Sequence, residues 1–89
     1  MLEKVKRALR VSTSAFDDEL TDLIEAAKLD LVLSGVETSD VDALIGKAII
    51  TYCKMSFGLP EDYDKLKKAY DEQKAQLKIA TNYRSDSNV

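Results

Sequence analysis

The apolar positions of this chain recur at steps of three and four residues, which is the spacing of one face of an α-helix. The clearest case lies between residues 41 and 57, where the stripe comprises Val41, Leu44, Ile45, Ala48, Ile49, Tyr52 and Cys53. Ile50, Met55 and Phe57 add apolar surface outside this stripe. A helix that is apolar most of the way round must be covered from several directions. The pattern therefore predicts a buried helix, covered by the rest of the chain or by another subunit.

Three further helices are predicted around it. The first is short, from about Leu2 to Leu9, and its apolar face holds Leu2, Val5 and Leu9. The second runs from about Ala15 to Leu33, with a predicted buried stripe of Phe16, Leu20, Leu23, Ile24, Ala27 and Leu31. The last runs from about Pro60 to Ile79, with a face of Tyr63, Leu66, Ala69, Tyr70, Gln73 and Leu77. The predicted fold is all-α: a small four-helix bundle with a short first helix and a buried central third helix.

Short polar residues mark the predicted helix ends. Ser14 with Asp17, and Ser39 with Asp42, have the spacing of a capping box, in which each side chain satisfies a free backbone N–H. Gly35 follows the second helix and suits the left-handed position that ends many helices. These signals predict helix starts close to residues 14 and 39.

The length of 89 residues indicates one domain, which we assign to residues 1–80. Residues 81–89 show no periodicity, and a segment of this composition predicts a flexible C-terminal tail.

Charge is distributed unevenly along the chain, although the net charge is only −3. Residues 1–14 carry +3, whereas residues 15–42 carry −8. Such an asymmetry is typical of complementary surfaces on neighbouring copies or partners, although solvated helix faces would give the same pattern. The predicted subunit interface therefore joins a basic face to an acidic face, comprising Lys4, Lys6, Arg7 and Arg10 on one side and Asp18, Asp22 and Glu25 on the other.

Histidine and cysteine, two residue types common in enzyme active sites, are scarce. The chain has no histidine, which removes the usual general base and the commonest zinc ligand. Its single cysteine, Cys53, falls on the apolar stripe, where it is expected to pack as a small hydrophobe. We therefore expect no catalytic activity, no metal and no cofactor. The lone cysteine and the absence of a signal-like N-terminus favour a reducing cytoplasm, and no apolar run reaches the roughly 18 residues that span a bilayer.

DNA binding is the main alternative at this point, because four short helices can hold a helix-turn-helix. The third helix, however, is too apolar for a major groove, where polar side chains must reach base edges. An acidic chain without a strong basic face also binds duplex DNA poorly. A small helical DNA-binding or regulatory interaction protein therefore remains the second hypothesis.

Four segments follow one another along the chain: Val5-Lys-Arg-Ala-Leu-Arg-Val11, the acidic Asp17 to Lys28, the central Asp42 to Tyr52 and the amphipathic Tyr63 to Leu77. Their order resembles the small head–tail connector (adaptor) proteins of tailed phages, also known as DNA-packaging or head-completion proteins. The similarity covers roughly residues 2–79 and consists of helix lengths and apolar positions.

The resemblance implies a structural subunit and no enzyme. Such a subunit would form a homo-oligomeric ring under the portal protein, extend the DNA channel and present a platform to the next head-completion or tail protein. DNA would pass only as non-specific cargo. The protein would then belong to the head–tail interface of the virion and to the host cytoplasm during assembly, without contact with a membrane.

Overall fold

A computed structural model describes residues 1–80, and the predicted tail at 81–89 lies outside the described residues. Four α-helices follow one another: α1 (Leu2–Leu9), α2 (Asp17–Leu33), α3 (Ala43–Phe57) and α4 (Tyr63–Ile79). A 3-10 turn, Pro60–Asp62, leads into α4. No strand occurs among the described residues. The all-α prediction is confirmed.

Helix α3 is the central element, since it packs against each of the other three helices. Its buried side chains include Ile45, Ala48, Ile49 and Cys53. Val5 of α1 and Tyr70 of α4 belong to the same core, as do Leu20, Ile24, Ala27 and Leu31 of α2. Chain neighbours run in opposite directions, so the ends of α1 and α3 lie beside the starts of α2 and α4.

The predicted capping boxes are wrong. Phe16, and not Ser14, occupies the N-cap position of α2, and no side chain caps that helix. At α3 the cap is Asp42 itself, whose Oδ1 accepts hydrogen bonds from the backbone N–H groups of Leu44 and Ile45, each at 3.0 Å. One carboxylate thus satisfies two of the free donors, and Ser39 is left outside the helix.

Gly35 ends α2 as predicted. Its φ of 91° is in the left-handed region, and its N–H donates to the carbonyl of Val32. The N–H of Val36 donates to the carbonyl of Leu31, and both of these side chains are fully buried. This double hydrogen bond with its apolar contact is a Schellman motif. It turns the chain sharply towards the start of α3.

Four residues predicted to be buried are exposed instead, and each lies at the start of a helix. Phe16, Val41, Leu44 and Tyr63 are between about one third and three fifths exposed. In each of these helices the first fully or nearly fully buried side chain of the stripe comes later, at Leu20, Ile45 and Tyr70. Phe16 retains one partner, the ring of Phe57 at 5.3 Å between centroids.

Candidate assembly surfaces

The predicted basic face is divided by the geometry of α1. Lys4 and Lys6 lie on opposite flanks of the buried Val5, because each is about 100° from it around the helix. The Lys6 flank faces the start of α2, where Lys6 Nζ lies 2.8 Å from Asp17 Oδ1. The side chain of Lys6 is only 11% exposed. Lys6 therefore joins α1 to α2 within the chain, through a close ion pair without an aligned hydrogen bond.

Lys4, Arg7 and Arg10 are exposed and remain available to a partner. Lys4 lies near the start of α3, on the rim of a surface cavity that Lys28 and Lys47 also line. Arg10 lies at the other end of α1. The basic residues of the N-terminal segment are therefore spread over two ends of the short helix.

Arg10 has an unusual backbone conformation. Its φ and ψ of 59° and 41° are left-handed, and among residues 1–80 it is the one non-glycine residue with positive φ. The N–H of Arg10 donates to the carbonyl of Arg7, and the N–H of Val11 donates to that of Lys6 at 2.9 Å. This is the hydrogen-bond pattern that ends α2 at Gly35. An L-residue in this region costs about 1–2 kcal/mol more than glycine, so Arg10 is held there at the expense of stability.

The predicted acidic face forms one stripe. Asp18, Asp22 and Glu25 are exposed, and they follow one another at steps of four and three along α2. Glu25 makes a surface contact with Lys28 at 3.6 Å, a pair of the kind that contributes little to stability. The other two carboxylates point to solvent without an ion-pair partner in the described part of the chain.

The same stripe continues into apolar residues whose exposure was not predicted from the sequence. Leu29, Val32 and Leu33 extend the line from Glu25 at helical spacing, and Leu33 is 77% exposed. The outer face of α2 is therefore acidic in its first half and apolar in its second. A signal was present: Leu29, Leu31, Val32 and Leu33 fill four of five consecutive positions, which one helix face cannot accommodate.

A groove of about 420 Å³ lies where the end of α1, the end of α3 and the start of α4 meet. Its apolar lining includes Leu9, Leu59 and Leu66, and Leu59 is 61% exposed. Its rim carries the cations Arg10, Lys54 and Lys65 and the single acid Asp62. No residue of α2 lines this groove. Of these residues only Arg10 was a predicted site residue, and the local pattern does not indicate that they would be neighbours.

The best-connected polar cluster of the described residues joins α2 to α4. Tyr70 Oη donates a hydrogen bond of 2.6 Å to Asp30 Oδ2, and Lys74 Nζ donates to the same oxygen at 3.1 Å. The ammonium of Lys74 also lies 5.1 Å from the centroid of the Tyr70 ring. Tyr70 belongs to the face predicted for the last helix, and its side chain is buried.

The pKa values in this cluster follow from its contacts. Burial acts to raise the pKa of Asp30, but the hydrogen bonds from Tyr70 and Lys74 and the charge of Lys74 outweigh it, so this pKa is lowered. The pKa of Tyr70 is raised, first by burial and then by its hydrogen bond to Asp30. Asp30 is therefore a carboxylate and Tyr70 a neutral donor at neutral pH. The arrangement stabilises the bundle.

The single thiol is located in the core. Cys53 is fully buried, and burial raises its pKa to about 11. Only the thiolate is strongly nucleophilic, so this cysteine is unreactive at neutral pH. The prediction that Cys53 packs as a small hydrophobe is confirmed. No helix within residues 1–80 has both the length and the apolar content needed to cross a bilayer.

The family model for phage connector proteins matches residues 1–84, and the chain belongs to this family. No curated protein and no solved structure gives a significant match. The resemblance inferred from helix order is confirmed. The chain thus has a phage connector role, in a family of structural proteins that interact with other head and tail proteins at the head–tail interface of the virion. This result favours the connector over the DNA-binding alternative.

Proposed function

We propose that the protein is a head–tail connector subunit that assembles as a ring under the portal protein. The ring extends the DNA channel, with DNA as non-specific cargo, and offers a platform to the next head-completion or tail protein. The observation that carries the proposal is the match of the phage connector family to residues 1–84. We assign residues 1–80 to a single connector domain.

Ring closure requires contacts between two different surfaces of the same chain, because a self-complementary surface closes at a dimer. The exposed Lys4, Arg7 and Arg10, which are spread along α1, and the exposed stripe of Asp18, Asp22 and Glu25 supply groups of opposite charge for such a contact. Lys6 supports the interface indirectly, because its ion pair with Asp17 fixes α1 against α2. Exposed pairs are weak individually and are screened by salt, so assembly is expected to weaken as ionic strength rises.

Loss of the protein tests the connector role. Particles produced without it are expected to contain separate filled heads and free tails on electron micrographs, and supplying the protein in trans restores joined particles. Normal tailed particles in its absence would show that the head and tail join without this subunit.

A charge-reversal variant tests the interface. Lys4→Glu with Arg7→Glu is expected to reduce incorporation into particles, while far-ultraviolet circular dichroism shows a folded monomer, because both side chains are exposed. The matched control is Lys68→Glu with Lys78→Glu, which makes the same charge change on exposed positions of α4. A compensating Asp18→Lys, Asp22→Lys partner should restore incorporation. Equal incorporation of the reversed variant and the control would exclude this basic face from the interface.

A further inference from the structure

The outer stripe of α2 is too apolar in its second half to be an ordinary solvated face. Leu29, Val32 and Leu33 are adjacent at helical spacing, and none is less than 45% exposed. Contiguous exposed apolar residues bordered by charge are typical of protein interfaces. With Asp18, Asp22 and Glu25 before them, they form a continuous surface that extends about 22 Å along the helix, at 1.5 Å per residue.

The groove between α1, α3 and α4 has a composition complementary to that of the stripe. Its lining combines leucine side chains with three cations and one acid, against the three acids of the stripe. The two surfaces share no residue, so one copy can use both at once. This is the arrangement that a heterologous contact needs.

From this match we infer that the α2 stripe of one copy docks into the α1–α3–α4 groove of the next copy, with Leu29, Val32 and Leu33 meeting Leu59 and the acids meeting Arg10, Lys54 and Lys65. The inference rests on the proposed ring and specifies its contact. It adds to this contact the apolar residues of the stripe, which the charge pattern did not predict, and it adds Lys54 and Lys65 of the groove.

The backbone of Arg10 supports this assignment independently. Glycine would be favoured at its φ of 59°, yet an arginine occupies the position and its side chain lies on the groove rim. Strained positions persist where a function compensates their cost. Arg10→Gly is therefore expected to raise the melting temperature of the monomer by a few degrees while it weakens association between copies. A role limited to ending α1 would change stability alone.

Disulfide trapping between two singly substituted proteins tests the contact directly. Leu33→Cys mixed with Leu59→Cys at millimolar concentration and low salt is expected to give a heterodimer, whereas each variant alone gives little product. The native Cys53 does not interfere, because it is fully buried. Ile79→Cys is the matched control for Leu33→Cys, since both native side chains are 77% exposed.

Several outcomes would overturn the inference. Equal trapping of Leu59→Cys by Leu33→Cys and by Ile79→Cys would show random collision. Predominant Leu33→Cys homodimers would indicate a self-complementary surface. A third outcome combines two results: a Leu29→Glu, Leu33→Glu variant is excluded from particles, but Leu33→Cys and Leu59→Cys give no specific trapping. This outcome would show that the stripe binds a different virion protein. Absence of the wild-type protein from purified particles would instead refute the connector role, which the trapping result does not address.

Discussion

The hydroxyl of Tyr70 offers a sharp test of how the fourth helix is held. Its hydrogen bond of 2.6 Å ends on a carboxylate, and hydrogen bonds to charged groups contribute about 1.5–3 kcal/mol to stability. The side chain of Asp30 is 38% exposed and keeps Lys74 as a partner, so water can solvate part of the vacated oxygen. We therefore expect Tyr70→Phe to lower the free energy of unfolding by about 1.5 kcal/mol, at the lower end of that range.

The phenylalanine retains the other contacts of the ring. Its edge-to-face contact with Tyr52, at 5.4 Å between centroids, does not involve the hydroxyl. The position of Lys74 over the ring is also independent of it. The variant thus isolates the hydrogen bond. In a domain of this size a loss of about 1 kcal/mol lowers the melting temperature by roughly 4–8 °C.

The effect should depend on pH in one direction. The pKa of Asp30 in the folded protein is below its ordinary value of 3.8, so the stability that this carboxylate contributes is present above 3.8 and is lost as the pH falls through the folded pKa. The difference between wild type and Tyr70→Phe should therefore be constant at neutral and mildly acidic pH. Below a pH of about 3.8 it should shrink, since a protonated carboxyl is a weaker acceptor.

Urea denaturation followed by far-ultraviolet circular dichroism measures this difference at each pH where a native baseline exists. Tyr63→Phe is the matched control, because that ring is 42% exposed, and its effect should stay within about 0.5 kcal/mol. A difference for Tyr70→Phe no larger than the control at neutral pH, or one that grows in acid, would refute the reasoning.

Three further substitutions test the core and two glycines. Ile49→Asp places an unpaired carboxylate at a fully buried position, so it should lower the free energy of unfolding by several kcal/mol and abolish cooperative thermal unfolding. An unchanged melting temperature would mean that Ile49 is outside the core. Gly46→Ala should stabilise the protein by up to about 1 kcal/mol, since a Cβ there meets only the Met1 side chain at ordinary contact distance. Gly58→Ala should destabilise it, because its Cβ would lie 2.5 Å from the carbonyl oxygen of Lys54, and calorimetry of the two alanine variants should show shifts of opposite sign.

Sequence periodicity predicted the interior of the bundle well and its ends poorly. Ile45, Ala48, Ile49 and Cys53 in the middle of α3 are buried as expected, whereas Leu44 in its first turn is more than half exposed. Periodicity identifies which side of a helix faces its neighbours. It contains no information on how far along the axis those neighbours extend, and this is decided by the lengths and offsets of other helices.

The charged surfaces were predictable only as separate segments. The exposure of Asp18 and Asp22 follows from their position opposite the buried stripe of α2, and this expectation agrees with the structure. The pairing of Lys6 with Asp17 depends on how α1 folds back, and the bond between Tyr70 and Asp30 joins residues forty positions apart. Such contacts arise from tertiary packing, which the local pattern does not encode.

The sequential packing around α3 has a consequence for folding kinetics. Each helix packs on its neighbour in the chain, and the contacts that skip an element, α1 with α3 and the Asp30–Tyr70–Lys74 cluster between α2 and α4, are fewer. Chains dominated by such local contacts have low contact order and fold within microseconds to milliseconds. Assembly of subunits takes milliseconds to minutes and depends on concentration. We therefore expect each subunit to complete its own fold well before it meets a neighbour, and temperature-jump relaxation can measure this folding rate. Particle assembly would then start from monomers that are already folded.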